Sequence, residues 1–273
     1  MKKKIIALVL AAVLTVLTLG LASCTGGDNP GAAGESESNK PKNGTLTVGF
    51  DATFPPMGFK DNDGNLVGFD LDLAAEVAKR LDMELKLKPI IWDNKDAELK
   101  TKGIDVIWNG FTINGRENDY TWSEPYMRNN QVLVVKDNST IASKEDLKGK
   151  KLALQSSSSA EAALNDTADF KASLGQVIKT EQNLEALNEV STGMVDAALM
   201  DETVAAYNIA QQGGKFKIID EPLAAEEYGI GFLKGNTELR DKVQAQLENM
   251  AKDGTLTKIS NEWFGKDVTI IGK

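Results

Sequence analysis

The sequence predicts an α/β protein with two similar lobes, each a mostly parallel sheet flanked by helices, and three observations carry that expectation. Short apolar strands alternate with amphipathic helical segments twice, over residues 45–108 and again over 151–200. The two halves also echo one another: Gly103-Ile104-Asp105-Val106-Ile107-Trp108 and Gly193-Met194-Val195-Asp196-Ala197-Ala198-Leu199 each set a helix-stopping glycine, an aspartate and an apolar strand in close succession. Finally, 41% hydrophobic and 26% charged residues in a chain of 273 suit one or two globular domains rather than a fibrous or disordered polymer.

Taken in order, residues 1–23 read as a signal peptide. Lys2, Lys3 and Lys4 precede an apolar run over 5–21 that is broken only by Thr15, Thr18 and Gly20. Length alone would also suit a membrane-spanning helix. The segment Leu21-Ala22-Ser23-Cys24 favours cleavage, because it resembles the bacterial lipobox, in which the cysteine takes a lipid such as palmitate. Cys24 is the chain's one cysteine, so no intramolecular disulfide can form and attachment is its expected task. Residues 24–43 read as a lipid-anchored flexible linker, since 25–43 contain no Val, Ile, Leu, Met or aromatic residue that could build a core.

Residues 45–50 form the first predicted strand, and Asp63-Gly64 marks a hairpin turn. A helix follows with Leu71, Ala74, Ala75, Ala78 and Leu81 on one face and Asp70 as its cap. Residues 83–88 alternate as a strand, 93–102 read as a helix stopped by Gly103, and 104–108 as a buried strand. This β-α-β-α-β order calls for helical crossovers and a parallel sheet. The second half gives a strand at 151–154, a helix from near Ala160, a weak strand near Val177, a helix at 184–190 and a strand at 196–200. An apolar segment at 228–233 and amphipathic helices at 237–250 and 256–264 complete the chain.

Open α/β sheets bind ligands beyond the carboxyl ends of their strands, so the residues following each strand are the candidates. Asp51 and Phe54 follow the first strand; Gly110, Thr112 and Arg116 follow 104–108; Gln155 and four serines follow 151–154; Met200 and Asp201 close 196–200. Arg116 is either a solvated loop charge or a two-bond fork for a carboxylate. The run from Ser156 to Ser159 is a polar turn or, at a helix N-terminus, an anion site. Asp201 is a helix cap or the partner of an ammonium. Phe54 and Trp92 are core residues or platforms for a ligand stem, whereas Trp108, inside an apolar strand, belongs to the core.

Several functions are excluded. The formal charge of −9, more negative still once the leader lysines are removed, makes a nucleic-acid partner unexpected. There is no histidine, no spare cysteine, no G-x-S-x-G elbow and no G-x-G-x-x-G fingerprint. The segment from Gly110 to Gly115 has P-loop glycine spacing, but Arg116 and Glu117 stand where Lys and Ser/Thr are needed. Asp61-Asn62-Asp63-Gly64 lacks the rest of an EF-hand loop. No catalytic residue, cofactor or metal is expected.

Seven segments together resemble the amino-acid-binding proteins of ATP-binding-cassette importers, the extracellular solute-binding proteins of family 3. They are Phe50-Asp51-Ala52-Thr53-Phe54-Pro55-Pro56-Met57, Gly68-Phe69-Asp70-Leu71-Asp72-Leu73-Ala74, Trp108-Asn109-Gly110-Phe111-Thr112-Ile113, Ser123-Glu124-Pro125-Tyr126, Asp146-Leu147-Lys148-Gly149-Lys150, Tyr228-Gly229-Ile230-Gly231-Phe232, and Asp253-Gly254-Thr255 with Trp263-Phe264-Gly265. The resemblance implies a two-lobed type II periplasmic-binding-protein fold, with lobe 1 formed by 44–128 plus 227–273 and lobe 2 by 129–226, crossed near 126–130 and 224–228. It implies a monomer, anchored by lipid on the outer face of the cytoplasmic membrane, that hands a free amino acid to a membrane permease.

Carried over position by position, the resemblance puts the α-carboxylate on Arg116 with backbone N–H groups of Thr112 and Ser159. It puts the ammonium on Asp201, Thr112 and the Gly110 carbonyl, and the side chain among Asp51, Phe54, Trp92, Gln155 and Met200. The family has one more residue between Thr112 and the arginine, so Arg116 requires a shortened loop, for which Gly115 supplies a tight turn. The carboxylate of Asp51 disfavours aspartate and glutamate and leaves polar or cationic L-amino acids. A cyclohexadienyl-dehydratase-like lyase and a sensor domain share the fold and stay open at this level.

Overall fold

The computed structural model describes residues 43–219 and 221–273; the expected signal peptide, Cys24 and nearly all of the linker lie outside the described residues. The chain opens with strand β1 (Thr45–Phe50), a small antiparallel sheet of β2 (Thr53–Phe54), β3 (Gly58–Lys60) and β4 (Leu66–Val67), helix α1 (Phe69–Arg80) and β5 (Glu84–Pro89). Helix α2 (Lys95–Lys100), β6 (Val106–Thr112) and β7 (Thr121–Trp122) lead into the long β8 (Met127–Lys136). Then come β9 (Lys151–Gln155), α3 (Ser159–Asp166), α4 (Ala168–Ser173), β10 (Gln176–Thr180), α5 (Asn183–Thr192), β11 (Ala197–Asp201) and α6 (Glu202–Gln211). Strands β12 (Phe216–Ile218) and β13 (Ala224–Phe232) precede α7 (Thr237–Lys252) and α8 (Thr255–Phe264).

The strands form two parallel sets joined through a pair of antiparallel strands. On one side β5, β1 and β6 are parallel neighbours, with Thr45 opposite Glu84 and Val48 opposite Val106. On the other, β10, β9 and β11 are parallel, with Leu152 between Val177 and Ala197. Between them run β8 and β13, antiparallel to each other from Ala224 opposite Gln131 to Tyr228 opposite Met127, so the chain crosses between lobes twice at one place. Among the described residues no helix is long and apolar enough to cross a membrane.

The cores explain why these segments adopt these elements. Leu73, Ala74, Val77 and Ala78 give α1 a buried stripe at helical spacing, packed with Leu46, Val48, Val106 and Trp108 of the sheet. In lobe 2, Leu133, Leu152, Leu154, Leu164, Phe170 and Leu199 form the core on one face of β9 and β11. A separate lobe 1 cluster joins Trp92, Ile107, Phe111 and Tyr120.

Two local expectations change. Asp70 does not cap α1: Gly68 holds that position, and Asp70 is fully buried inside the helix's first turn, where its carboxylate accepts from the Gly110 N–H at 2.6 Å and the Tyr126 hydroxyl at 2.9 Å. The strand expected at 104–108 runs instead to Thr112, with all seven of its residues buried, because β13 continues to pair along it as far as Tyr228 opposite Thr112.

Candidate functional site

The carboxyl ends of β1, β6, β9 and β11 converge on one small cavity between the lobes, with about 10 Å³ of free space. A space of that size holds about one water molecule, so the two walls stand nearly in contact, well short of the roughly 300 Å³ of an open ligand pocket. Lobe 1 contributes Asp51, Phe54, Trp92, Asn109, Gly110, Phe111, Thr112 and Arg116; lobe 2 contributes Gln155, Ser158, Ser159 and Asp201.

Arg116 reaches the wall through a tight turn, closed by its N–H on the Ile113 carbonyl at 2.9 Å and made possible by Gly115 at φ 78°. Its guanidinium stands 5.3 Å from the Phe111 ring centroid, and one Nη1–H bonds the Thr112 carbonyl at 3.2 Å. The Trp122 indole donates to the Arg116 carbonyl at 3.0 Å. Among the described residues no carboxylate forms an ion pair with Arg116, so a partly buried cation faces the cavity with most of its five donors uncommitted. The Thr112 hydroxyl and the Asn109 amide nitrogen are buried on the same wall and have no hydrogen-bond partner among the described residues. A buried polar group without a partner costs about 1 to 3 kcal/mol, which a polar ligand can recover.

Gly110, at φ 54°, shapes this wall. A Cβ there would stand 3.0 Å from Phe54 and 3.1 Å from Tyr228, so only glycine lets the two rings close over the strand end.

On the lobe 2 side, Ser158 caps α3, accepting from the Glu161 N–H at 3.2 Å and donating to the Gln155 carbonyl at 2.6 Å. The first amides of α3 lack partners within the helix, and Ser158 and Ser159 at that end line the cavity. Asp201 stands at the cap position of α6 but makes no capping bond; its carboxylate accepts instead from the Tyr228 hydroxyl at 2.6 Å and the Asn129 amide at 3.0 Å. Burial first, then the neighbouring Glu226 carboxylate, push the Asp201 carboxyl well above the usual carboxylate range.

The walls touch across the cavity. Asp51 accepts from Thr53 N–H and hydroxyl at 2.8 and 2.6 Å through one oxygen, and from the Gln155 amide of lobe 2 at 2.9 Å through the other. Buried Lys95 sits 5.1 Å from the Trp92 ring centroid and donates to the Ser157 carbonyl of lobe 2 at 3.3 Å. Burial, followed by the like charge of Arg116, lowers its pKa.

Nine of the ten expected ligand residues therefore line one cavity. The tenth, Met200, does not: it is fully buried in the core, because adjacent strand residues face opposite sides and Asp201 faces the cavity. Asn109, Phe111 and Ser158 join the lining without having been singled out, and Asn129, Gln131, Glu226 and Tyr228 lie behind it. The quartet of serines and the Trp108-Asn109-Gly110-Phe111-Thr112 run flagged the first three; of the four behind, Tyr228 opens the Tyr228-Gly229-Ile230-Gly231-Phe232 segment, and no local signal marks Asn129, Gln131 or Glu226.

Two lobes joined by paired crossing strands, with a polar cavity between them, define a two-lobed solute-binding protein. The sequence matches the model of the bacterial extracellular solute-binding proteins, family 3, over residues 46–266, and the chain belongs to that family. It is 36% identical over 242 residues to the L-cystine-binding protein TcyJ of Escherichia coli (strain K12), covering 87% of this chain and 89% of the relative. It is 35% identical over 278 residues to the L-cystine-binding protein TcyA of Bacillus subtilis (strain 168), covering 98% and 100%. An ABC uptake transporter substrate binding protein from Streptococcus pneumoniae, solved with bound histidine, superposes with a TM-score of 0.80 at 35% identity, covering 82% of this chain and 94% of that one.

Proposed function

We propose that the protein captures a polar or cationic L-amino acid outside the cell and delivers it unchanged to the membrane permease of an ABC importer. One observation carries the reading: an unpaired guanidinium, Arg116, and a buried carboxylate, Asp201, face one cavity from opposite lobes, with the unpartnered Thr112 hydroxyl on the same wall. The α-carboxylate lies on Arg116, helped by the Thr112 and Ser159 N–H groups. The ammonium lies on Asp201, the Thr112 hydroxyl and the Gly110 carbonyl. The side chain stacks on Phe54 and Trp92 and meets Asp51 and Gln155. The names of the cystine-binding relatives and of the histidine-bound structure support a polar or cationic ligand. Hinge closure of lobe 2 (129–226) over lobe 1 (44–128 and 227–273) encloses it.

The site carries out binding rather than turnover, using no metal or cofactor, and the monomer is held at the membrane by lipid on Cys24. Mass spectrometry of the co-purifying ligand and a thermal-shift panel of free L-amino acids test the reading. Ligand at about 100 times its Kd adds roughly 2.7 kcal/mol, raising Tm by about 5 to 10 °C. Aspartate or glutamate giving the largest shift overturns the pocket assignment, and conversion of prephenate by the protein overturns the binding-only reading. Cys24→Ser is expected to abolish incorporation of a clickable fatty acid; retained label contradicts the anchor.

A further inference from the structure

Two carboxylates are buried side by side where the lobes join. Asp201 ends β11 and Glu226 lies on β13, and they are only 3% and 6% exposed. A single amide links them: Asn129 Nδ2, on β8, donates to Asp201 Oδ1 at 3.0 Å and to Glu226 Oε1 at 2.6 Å. Gln131 Nε2 donates to the same Glu226 oxygen at 2.9 Å and to Ser159 Oγ at 3.0 Å, while the Tyr228 hydroxyl serves Asp201. All of these donors are neutral. Among the described residues no lysine or arginine forms an ion pair with either carboxylate.

Among the described residues the surrounding charged and titratable groups form no ion pair with either carboxylate; Lys266 and Arg128 line an open groove together with Glu226 without pairing to it. From lobe 1, Arg116 and Asp51 line the cavity wall. On β13, Tyr228 bonds Asp201 and Glu227 is paired with exposed Arg128 of β8 at 3.7 Å. On α6, Glu202 accepts from the Asn130 amide at 2.7 Å. Tyr126, its ring centroid 6.4 Å from that of Tyr228, is committed to Asp70.

Burial, and then the Glu226 carboxylate that shares its amide donor, hold the Asp201 carboxyl toward its protonated form. We propose that Asp201, buried beside the Glu226 carboxylate on a shared Asn129 amide, carries a proton in the free protein and that the ligand's ammonium displaces it, so capture of the amino acid releases a proton and the neighbouring Glu226 charge favours the protonated state. This rests on the reading above that Asp201 receives the ammonium. No covalent bond forms: the proton on Asp201 and the ammonium exchange, and the proton leaves to solvent. The sign follows from a carboxyl raised in the free protein and lowered by the bound ammonium. Affinity is full where Asp201 is ionised in the free protein and falls by up to tenfold per pH unit as it becomes protonated.

The test is titration calorimetry of the full chain with L-arginine and with L-cystine between about pH 5 and pH 7.5, in buffers of different ionisation enthalpy. The expected result is a buffer-dependent enthalpy reporting up to one proton released, with Kd rising toward acid pH. Glu226→Gln is expected to move the Kd midpoint to lower pH and shrink the release, while Glu226→Asp, which keeps the carboxylate, retains it and separates charge from packing. Buffer-independent enthalpies in the wild type, or an unchanged pH profile in Glu226→Gln, overturn the inference alone, provided Asp201→Asn loses binding. If neither amino acid binds, or Asp201→Asn binds normally, the ammonium reading fails and this inference with it.

Discussion

The two walls of the cavity are held in place by different forces. On lobe 1, Arg116 rests on Phe111, which packs edge-on against Trp92 and Tyr120 at 5.5 and 5.1 Å and tilted against Trp122 at 4.8 Å. On lobe 2, the wall is a chain of hydrogen bonds: Asn183 Nδ2 to Gln155 Oε1 at 3.0 Å, Gln155 Nε2 to the Glu181 carbonyl at 3.0 Å, and Ser158 over the end of β9. Aromatic packing supports the guanidinium on lobe 1, whereas the lobe 2 wall is held by hydrogen bonds made within that lobe among buried side chains. Lobe 1 thus carries its charge on an aromatic base, while lobe 2 is set by its own hydrogen bonds and reaches lobe 1 through Gln155 and Ser157.

The largest effect should come from removing the lobe 1 charge. Arg116→Ala leaves a ligand carboxylate without its main partner, at an expected cost of about 2 to 5 kcal/mol in binding, the range for truncating one member of a buried charged pair. Calorimetry reads it directly. An unchanged affinity would place the carboxylate elsewhere and dissolve the contrast between the walls.

Behind the lobe 1 wall, Asp70 supports Gly110 and Tyr126, and burial raises its carboxyl to about 7. Because the folded pKa exceeds the unfolded one, the stability contributed by its protonated form is complete below about pH 4 and is lost as pH rises through about 7. Asp70→Asn keeps an oxygen acceptor without the charge. It is expected to remove a loss of roughly 2 to 3 kcal/mol between about pH 5 and pH 8, from 1.36 kcal/mol per pKa unit. Urea denaturation at both pH values checks it: parallel profiles for wild type and variant would show that Asp70 does not titrate in this range.

The two halves of the site were not equally legible from sequence. The lobe 1 wall could be read because its residues follow predicted strands within a short stretch of chain, and Gly115 announced the turn that delivers Arg116. The long-range contacts could not: Gln155 and Asp51, which join the two walls, are 104 residues apart, and Asn129 and Glu226, behind the lobe 2 wall, are 97 apart. Strand β8 escaped recognition because its first half is Met127, Arg128, Asn129, Asn130 and Gln131, a polar run that is extended only because β13 and β11 pair with it. Met200 shows how exact phase must be, since a strand read as ending at 200 rather than 201 assigns two adjacent residues to one face.

Gln155→Leu tests the hydrogen-bonded wall. It removes the bond to Asp51 and leaves Asn183 Nδ2 without its acceptor. Stranded buried groups cost about 1 to 3 kcal/mol, so affinity should fall while the Arg116 contribution, measured in the double variant, stays additive to within about 0.5 kcal/mol. Strong coupling between the two substitutions would mean that Arg116 is itself positioned only on closure.

The smallest effect is expected outside the cavity and sharpens the comparison most. Phe59, on β3 of lobe 1, lies between Trp263 of the same lobe, at 6.0 Å and 81°, and Tyr207 of α6 in lobe 2, at 5.6 Å and 57°. It does not line the ligand cavity, so its contact with Tyr207 acts on the closed arrangement alone. Phe59→Leu keeps an apolar side chain but loses the ring pair, worth about 0.5 to 1.5 kcal/mol beyond buried area. Ligand dissociation followed by tryptophan fluorescence should therefore accelerate by about 2- to 10-fold, with the association rate little changed because the encounter precedes closure. The Tm of the ligand-free protein should move by less than that of the ligand-saturated one. An unchanged dissociation rate would mean that the lobes are held together by the cavity alone, and that the hydrogen-bonded wall of lobe 2 closes without help from the aromatic contact at its edge.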